Sequence, residues 1–69
     1  MKTGDIIKQE REKRHLSQTE LAIKLGVTQP HINYLESGQR NASDRLKIQI
    51  SEFFNLPVSY IFFNQNDNK

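Results

Sequence analysis

The chain has 69 residues, enough for one small domain with a single core and near the lower limit for a chain that folds alone. It contains no cysteine and no tryptophan, which excludes a disulfide framework and a thiolate metal site, and two histidines, His15 and His31, cannot form a metal cage by themselves. The longest apolar run, Tyr60–Phe63, is far short of the roughly 20 residues a membrane-spanning helix needs, and no apolar segment follows Lys2 as a secretory signal requires. A soluble, reduced, cytoplasmic chain is expected. Ten Lys/Arg stand against eight Asp/Glu, a net charge of +2. That balance tilts mildly towards polyanionic partners without naming one.

Helix punctuation is strong and strand alternation is weak, so the expected fold class is all-α. Thr3 is placed to cap a first helix over about 4–14, with Asp5 in its first turn complementing the dipole. Ile6 and Ile7 are the only strong apolar residues of that helix. His15 stands where a helix end often needs a left-handed residue. Ser17-Gln18-Thr19-Glu20 is a capping box; Leu21, Ala22 and Leu25 follow as one apolar face, Gly26 stops the helix, and Val27 closes the stop. The second helix is therefore expected over about 17–25. Thr28 caps a third helix over about 29–37, in which Pro30 is tolerated in the first turn, Ile32 and Leu35 face inward, and Ser37-Gly38 ends the run. After a polar loop from Gln39 to Ala42, Ser43 caps a fourth helix over about 44–54. There Leu46, Ile50, Phe53 and Phe54 make a helical stripe. Asn55 can end it in the left-handed region, Pro57 forbids continuation, and Val58, Ile61 and Phe62 suit a short fifth helix over about 58–63. The polar segment 64–69 has nothing to bury and reads as a disordered tail beyond a domain spanning 1–63.

The second helix, the tight turn Gly26-Val27-Thr28 and the third helix together make the spacing of a helix-turn-helix, in which the second member enters the DNA major groove N-terminus first. Spacing alone leaves a plain helix corner equally open. The outward residues of the third helix shift the balance: Gln29, Pro30, His31, Asn33, Tyr34 and Ser37 include no Lys, Arg, Asp or Glu, unlike an ordinary solvated face. Gln and Asn amides can pair with adenine edges, and apolar atoms can meet a thymine methyl. Lys8, Lys13, Arg14 and Lys24 read mostly as a solvated face, with Lys8 and Lys13 able to add diffuse attraction to DNA.

The segments Ser17-Gln18-x-Glu20-Leu21-Ala22-x-x-Leu25-Gly26-Val27 and Ile32-x-x-Leu35-Glu36-x-Gly38-x-Arg40-Asn41 resemble the XRE family, the Cro/phage-repressor type of helix-turn-helix regulator. Gly4-x-x-Ile7-Lys8-x-x-Arg11 and Leu56-Pro57-Val58-Ser59 fit as well, so the resemblance covers about residues 4–62. Departures are Glu10, where the family usually carries an apolar residue, His15 for Gly, Ala42 for Pro and Asp44 for Leu. The resemblance implies a compact five-helix, lambda-repressor-like domain that binds double-stranded DNA. It implies base contacts from Gln29, Pro30 and Tyr34, with Asn33 as a further candidate on the same face. Gln18, Ser37, Arg40 and Asn41 match positions resembling the family's phosphate clamps, and Thr28 and His31 complete the expected backbone-contacting set. It also implies an ion pair between Arg11 and Glu36, joining the first helix to the third and at least partly shielded from water.

The leading expectation is a transcriptional regulator, a repressor working on a palindromic operator in the nucleoid. The alternatives are an antitoxin-like protein-interaction module and a restriction–modification controller acting as an activator. An enzyme fits worst, because the sequence offers no nucleophile–base pair and no phosphate loop; no cofactor, metal or small-molecule ligand is expected. Five aromatic residues, Phe53, Phe54, Tyr60, Phe62 and Phe63, crowd the last part of the chain, more than so small a core absorbs. Tyr60 and Phe63 are the expected seam of a homodimer.

Overall fold

A computed structural model describes residues 2–63. They form α1 (Thr3–Lys13), α2 (Gln18–Leu25), α3 (Gln29–Ser37), α4 (Asp44–Phe54) and α5 (Val58–Phe62), with no strand among the described residues. The expected tail over 64–69 lies outside the described residues.

Three of the N-termini follow from their own side chains. Ser17 Oγ accepts from the Glu20 N–H at 3.0 Å while Glu20 Oε1 accepts from the Ser17 N–H at 2.8 Å, the reciprocal box that sets the start of α2. The hydroxyls of Thr28 and Ser43 accept from His31 N–H and Leu46 N–H at 3.3 and 3.2 Å. The start of α1 differs from expectation. Lys2 is its N-cap with no side-chain cap bond, and Thr3 is instead the first helical residue, its hydroxyl donating to the Ile61 carbonyl at 2.9 Å. Thr3 ties the start of α1 to the last turn of α5, because the Ile61 carbonyl there competes successfully for its hydroxyl. Three other helix limits move by one residue, with α1 ending at Lys13, α2 starting at Gln18 and α5 ending at Phe62 with Phe63 as its C-cap, while both limits of α3 and α4 are as expected.

The first four helices end in the same way. His15 and Asn55 adopt φ 58 and 59, and Gly26 and Gly38 adopt φ 74 and 84. In each case the next N–H reaches back around the turn: Leu16 to Arg11, Val27 to Ala22, Gln39 to Tyr34 and Leu56 to Ser51. This double bond pattern satisfies carbonyls that the helix leaves open. After three of the stops an apolar residue, Leu16, Val27 or Leu56, folds back, and Val27 and Leu56 pack against the core. After α3 that place is held by the exposed Gln39. No apolar side chain folds back directly after that stop, and the chain runs on as a loop over 38–43, longer than the connections on either side, until Ala42 is buried against the core.

The core is Ile6 and Ile7 from α1, Leu21, Ala22 and Leu25 from α2, Ile32 and Leu35 from α3, Leu46, Ile50 and Phe54 from α4, and Ile61 and Phe62 from α5. Glu10 is buried beside it. Its carboxylate accepts from Arg14 Nη1 at 2.8 Å and Lys13 Nζ at 3.2 Å. Arg14 also donates to the Phe54 carbonyl at 2.9 Å and lies over the Phe54 ring at 4.7 Å. Arg14 is exposed as expected, yet it does more than face solvent: it joins α1 to the C-terminus of α4, where a cation also complements the helix dipole. Where the family usually carries an apolar residue, Glu10 supplies the anion that holds Arg14 in place.

The Arg14 hydrogen bond, outweighing burial and aided by Lys13, holds the Glu10 carboxyl below its ordinary value of 4.5. A depressed folded-state value contributes stability that is present above the unfolded value and is lost as pH falls through the folded one. Thermal unfolding of Glu10→Gln should show a loss of about 1–2 kcal/mol at pH 7. The wild-type and variant curves should converge as pH drops below about 4.5. Parallel curves down to pH 3 would show that the carboxylate contributes nothing through its charge.

Candidate nucleic-acid interface

Only residues 26–28 separate α2 from α3. The left-handed Gly26 turns the chain so that Thr28 caps α3 and the first residues of the two helices meet. Gln29 Nε2 donates to Gln18 Oε1 at 2.7 Å, and Asn33, one turn further along α3, donates to the same oxygen at 3.4 Å. Gln18 Nε2 in turn donates to Glu36 Oε1 at 3.0 Å. Glu36 takes a bidentate pair from Arg11 of α1, Nε to Oε2 at 2.7 Å and Nη2 to Oε1 at 3.1 Å, while Arg11 Nη1 donates to the Leu16 carbonyl at 2.7 Å. The Arg11 and Glu36 side chains are 9% and 4% exposed. The Glu36 hydrogen bond outweighs burial and raises the Arg11 pKa. A single chain of contacts thus runs from α1, through the far end of α3 and the start of α2, to the leading turn of α3.

The outer face of α3 presents Pro30, Asn33, Tyr34 and Ser37 as exposed residues. Gln29 and His31, also expected on the outward face, are half-buried, Gln29 because its amide leans onto Gln18. The Ser37 hydroxyl donates back to the Tyr34 carbonyl at 3.3 Å. The Arg40 guanidinium lies 5.8 Å from the centre of the Tyr34 ring, so a residue expected to clamp phosphate touches one expected to read bases. Helices α1, α2 and α4 each carry an acid in the first turn, Asp5, Glu20 and Asp44, whereas α3 has none. Its first turn therefore carries no acid of its own to complement the helix dipole.

Ser37, Arg40 and Asn41 line a cleft of about 500 Å³ with Lys2 and Lys47. Lys2 and Lys47 come from distant parts of the chain, and nothing in their local pattern marks them for this rim. Phe63 lines the same cleft under Lys47, whose Nζ is 5.2 Å from its ring centre. Tyr60 and Phe63 are 46% and 53% exposed, while Phe54 and Phe62 are buried and Phe53 packs partly against the core. Among the described residues no group of three His, Cys, Asp or Glu side chains could hold a metal ion, and no helix is long and apolar enough to cross a membrane.

A family model described as helix-turn-helix matches residues 7–61. The chain belongs to the XRE-type helix-turn-helix family of transcriptional regulators. It is 32% identical to the ImmF control region 10 kDa protein of Bacillus phage phi105 over 60 residues, covering 87% of this chain and 67% of the phage protein. It is 34% identical to an uncharacterised HTH-type transcriptional regulator of Methanocaldococcus jannaschii, covering 88% of this chain and 92% of that one. A putative HTH-type transcriptional regulatory protein of Halorubrum lacusprofundi is 41% identical over 81% of this chain, which spans only 17% of that protein. The fold superposes on the P22 c2 repressor, crystallised with a synthetic operator, with a TM-score of 0.88 at 18% identity over 94% of this chain and 98% of that one. The five-helix repressor-type architecture expected from the sequence is the one observed.

Proposed function

We propose that this chain binds double-stranded DNA sequence-specifically as a homodimer on a palindromic operator, and represses transcription by occluding a promoter. One observation carries the reading. The leading face of α3 presents amides and an aromatic ring with no acid in its first turn, held in place from behind by Gln18, beside a rim bearing Lys2, Arg40 and Lys47. Uncharged amides at a helix N-terminus are suited to base edges, and the cations beside them to phosphates. Gln29, Pro30, Asn33 and Tyr34 are the base readers in this scheme. Gln18, Thr28, His31, Ser37, Arg40 and Asn41 face the backbone, fixing register. As a regulator of this kind it acts in the cytoplasm, on the nucleoid, and performs no reaction. The name of the phi105 relative, a control-region protein, supports a regulatory role.

Gln29→Ala and Arg40→Ala separate reading from clamping. Gln29→Ala should lose about 1–3 kcal/mol on operator DNA and flatten preference at one base pair, leaving binding to scrambled DNA nearly intact. Arg40→Ala should weaken both DNAs and lower the salt slope by about one unit. The probes are duplexes covering the DNA that flanks the chain's own gene, titrated at several salt concentrations. If neither variant alters binding to any duplex, the protein-interaction reading takes first place.

Tyr60 and Phe63 are proposed as the dimer seam, because both remain exposed after the core has taken Phe54 and Phe62. A two-fold pair would set its two α3 helices roughly 34–36 Å apart, one turn of DNA. Sedimentation should show dimer formation strengthened by operator DNA and weakened by Phe63→Ser. A monomer at high micromolar concentration, unchanged by DNA, would sink the seam.

A further inference from the structure

We propose that the Arg11–Glu36 pair, acting through Gln18, sets the donor–acceptor polarity of the amides on the reading face, and so makes Gln29 select adenine over guanine. The inference rests on the DNA-binding reading above. A carboxylate can only accept hydrogen bonds, so Gln18 must turn its NH2 group towards Glu36, the 3.0 Å contact observed. Its carbonyl oxygen is thereby forced to face α3. Only donors can meet that oxygen, and the two groups that do are the amide nitrogens of Gln29 and Asn33. The negative charge at the rear of α3 therefore dictates which way round three side-chain amides lie at its front.

The consequence for Gln29 is specific. One hydrogen of its Nε2 is committed to Gln18 at 2.7 Å. What remains for a ligand is the other N–H beside the acceptor Oε1. A donor next to an acceptor matches adenine, whose major-groove edge offers N7 as acceptor and N6 as donor. Guanine offers two acceptors, O6 and N7, one of which would oppose the Oε1 lone pairs. Glu36 touches no base in this scheme; it is a positioning residue.

Glu36→Gln reverses the logic. The new amide keeps a single acceptor, and Arg11 Nε makes the shorter of the two contacts with the native carboxylate, 2.7 against 3.1 Å. With oxygen retained there, an NH2 group points at the Gln18 NH2, and Gln18 relieves that opposition by turning over. Gln29 then turns its oxygen inward and offers both N–H groups, which suits guanine. Because the substituted amide also opposes Arg11 Nη2 in this arrangement, both polarities are populated. Preference is relaxed rather than switched.

The test is selection from a pool of randomised duplexes by the 69-residue chain, for wild type, Glu36→Gln, Gln18→Met and Gln29→Ala, each with its melting temperature. Wild type should enrich a site with adenine at the one base pair whose preference vanishes in Gln29→Ala. In Glu36→Gln the adenine-to-guanine ratio there should fall at least about fivefold, the lower bound of a good bidentate contact, with other positions keeping their order. Gln18→Met breaks the relay but leaves the ion pair, so beyond the uniform loss from its missing backbone contact it should relax base preference at the same position alone, while melting near wild type. It decides the question if Glu36→Gln is too unstable to assay. A merely structural role would lower enrichment at every position alike, and this outcome, or an unchanged ratio in Gln18→Met, overturns the proposal. A pool from which wild type enriches no site overturns the DNA-binding reading itself, and the relay with it.

Discussion

Glu36→Ala is expected to lose about 3–5 kcal/mol of folding stability, the cost of leaving a buried charge without its partner. The removed carboxylate receives Arg11 through two hydrogen bonds and Gln18 through a third. The guanidinium left behind keeps only the Leu16 carbonyl at 2.7 Å and the distant Glu12 carboxylate at 3.9 Å. For a chain this small, that loss is a large share of the total. The pair is not therefore a large net source of stability, because desolvating two ions offsets much of their attraction. Replacing both, Arg11→Met with Glu36→Leu, should recover most of the deficit. Urea unfolding midpoints of the two single variants and the double variant measure this as a cycle. A Glu36→Ala midpoint equal to wild type would mean that water reaches the pair and screens it.

Gly4→Ala should destabilise by about 3 kcal/mol, the upper end of what overpacking usually costs. In an exposed helix the same substitution stabilises by about 0.5–1 kcal/mol, through backbone entropy. Packing reverses the sign here. A Cβ on Gly4 would sit 2.7 Å from the Leu35 carbonyl oxygen and closer still to that of Glu36. Both are backbone atoms in the last turn of α3, and neither can rotate away as a side chain could. The strain can be relieved only by moving α1 off α3, which also pulls Arg11 from Glu36. Thermal melting of Gly4→Ala and Gly4→Ser should show both well below wild type, with Ser no better than Ala. A raised melting temperature for Gly4→Ala would show that the two helices separate at little cost and that the contact is slack.

Much of this fold is legible in the sequence because its signals act over a few residues. Ser17, Thr28 and Ser43 each reach an N–H three positions on. His15, Gly26, Gly38 and Asn55 each stop a helix through their own backbone conformation. The apolar positions of α2, α3 and α4 recur at helical spacing, so their inward faces follow from period alone. The helix-turn-helix itself is a local unit, and its residues identify the family without any coordinates.

Other features depend on where separate helices cross, and local rules misplace them. Thr3 has the chemistry of a cap, but Ile61 lies within reach and takes its hydroxyl. Arg14 has the composition of a solvated face, yet it spans to the Phe54 carbonyl. Glu10 would be a poor core residue without Arg14 and Lys13 beside it. The backbone-contact role of Gln18 follows from its position in α2, but that its amide also bridges Glu36 and Gln29 follows only from the packing of α1, α2 and α3. Capping, stopping and periodicity are interactions of a residue with its own chain neighbours, so the sequence by itself determined the helices and the family. Polarity at the reading face depends on a carboxylate from the end of α3 and a guanidinium from α1. Hydrogen-bond direction is transmitted only between groups already held within about 3 Å, and that proximity was decided by the tertiary structure alone.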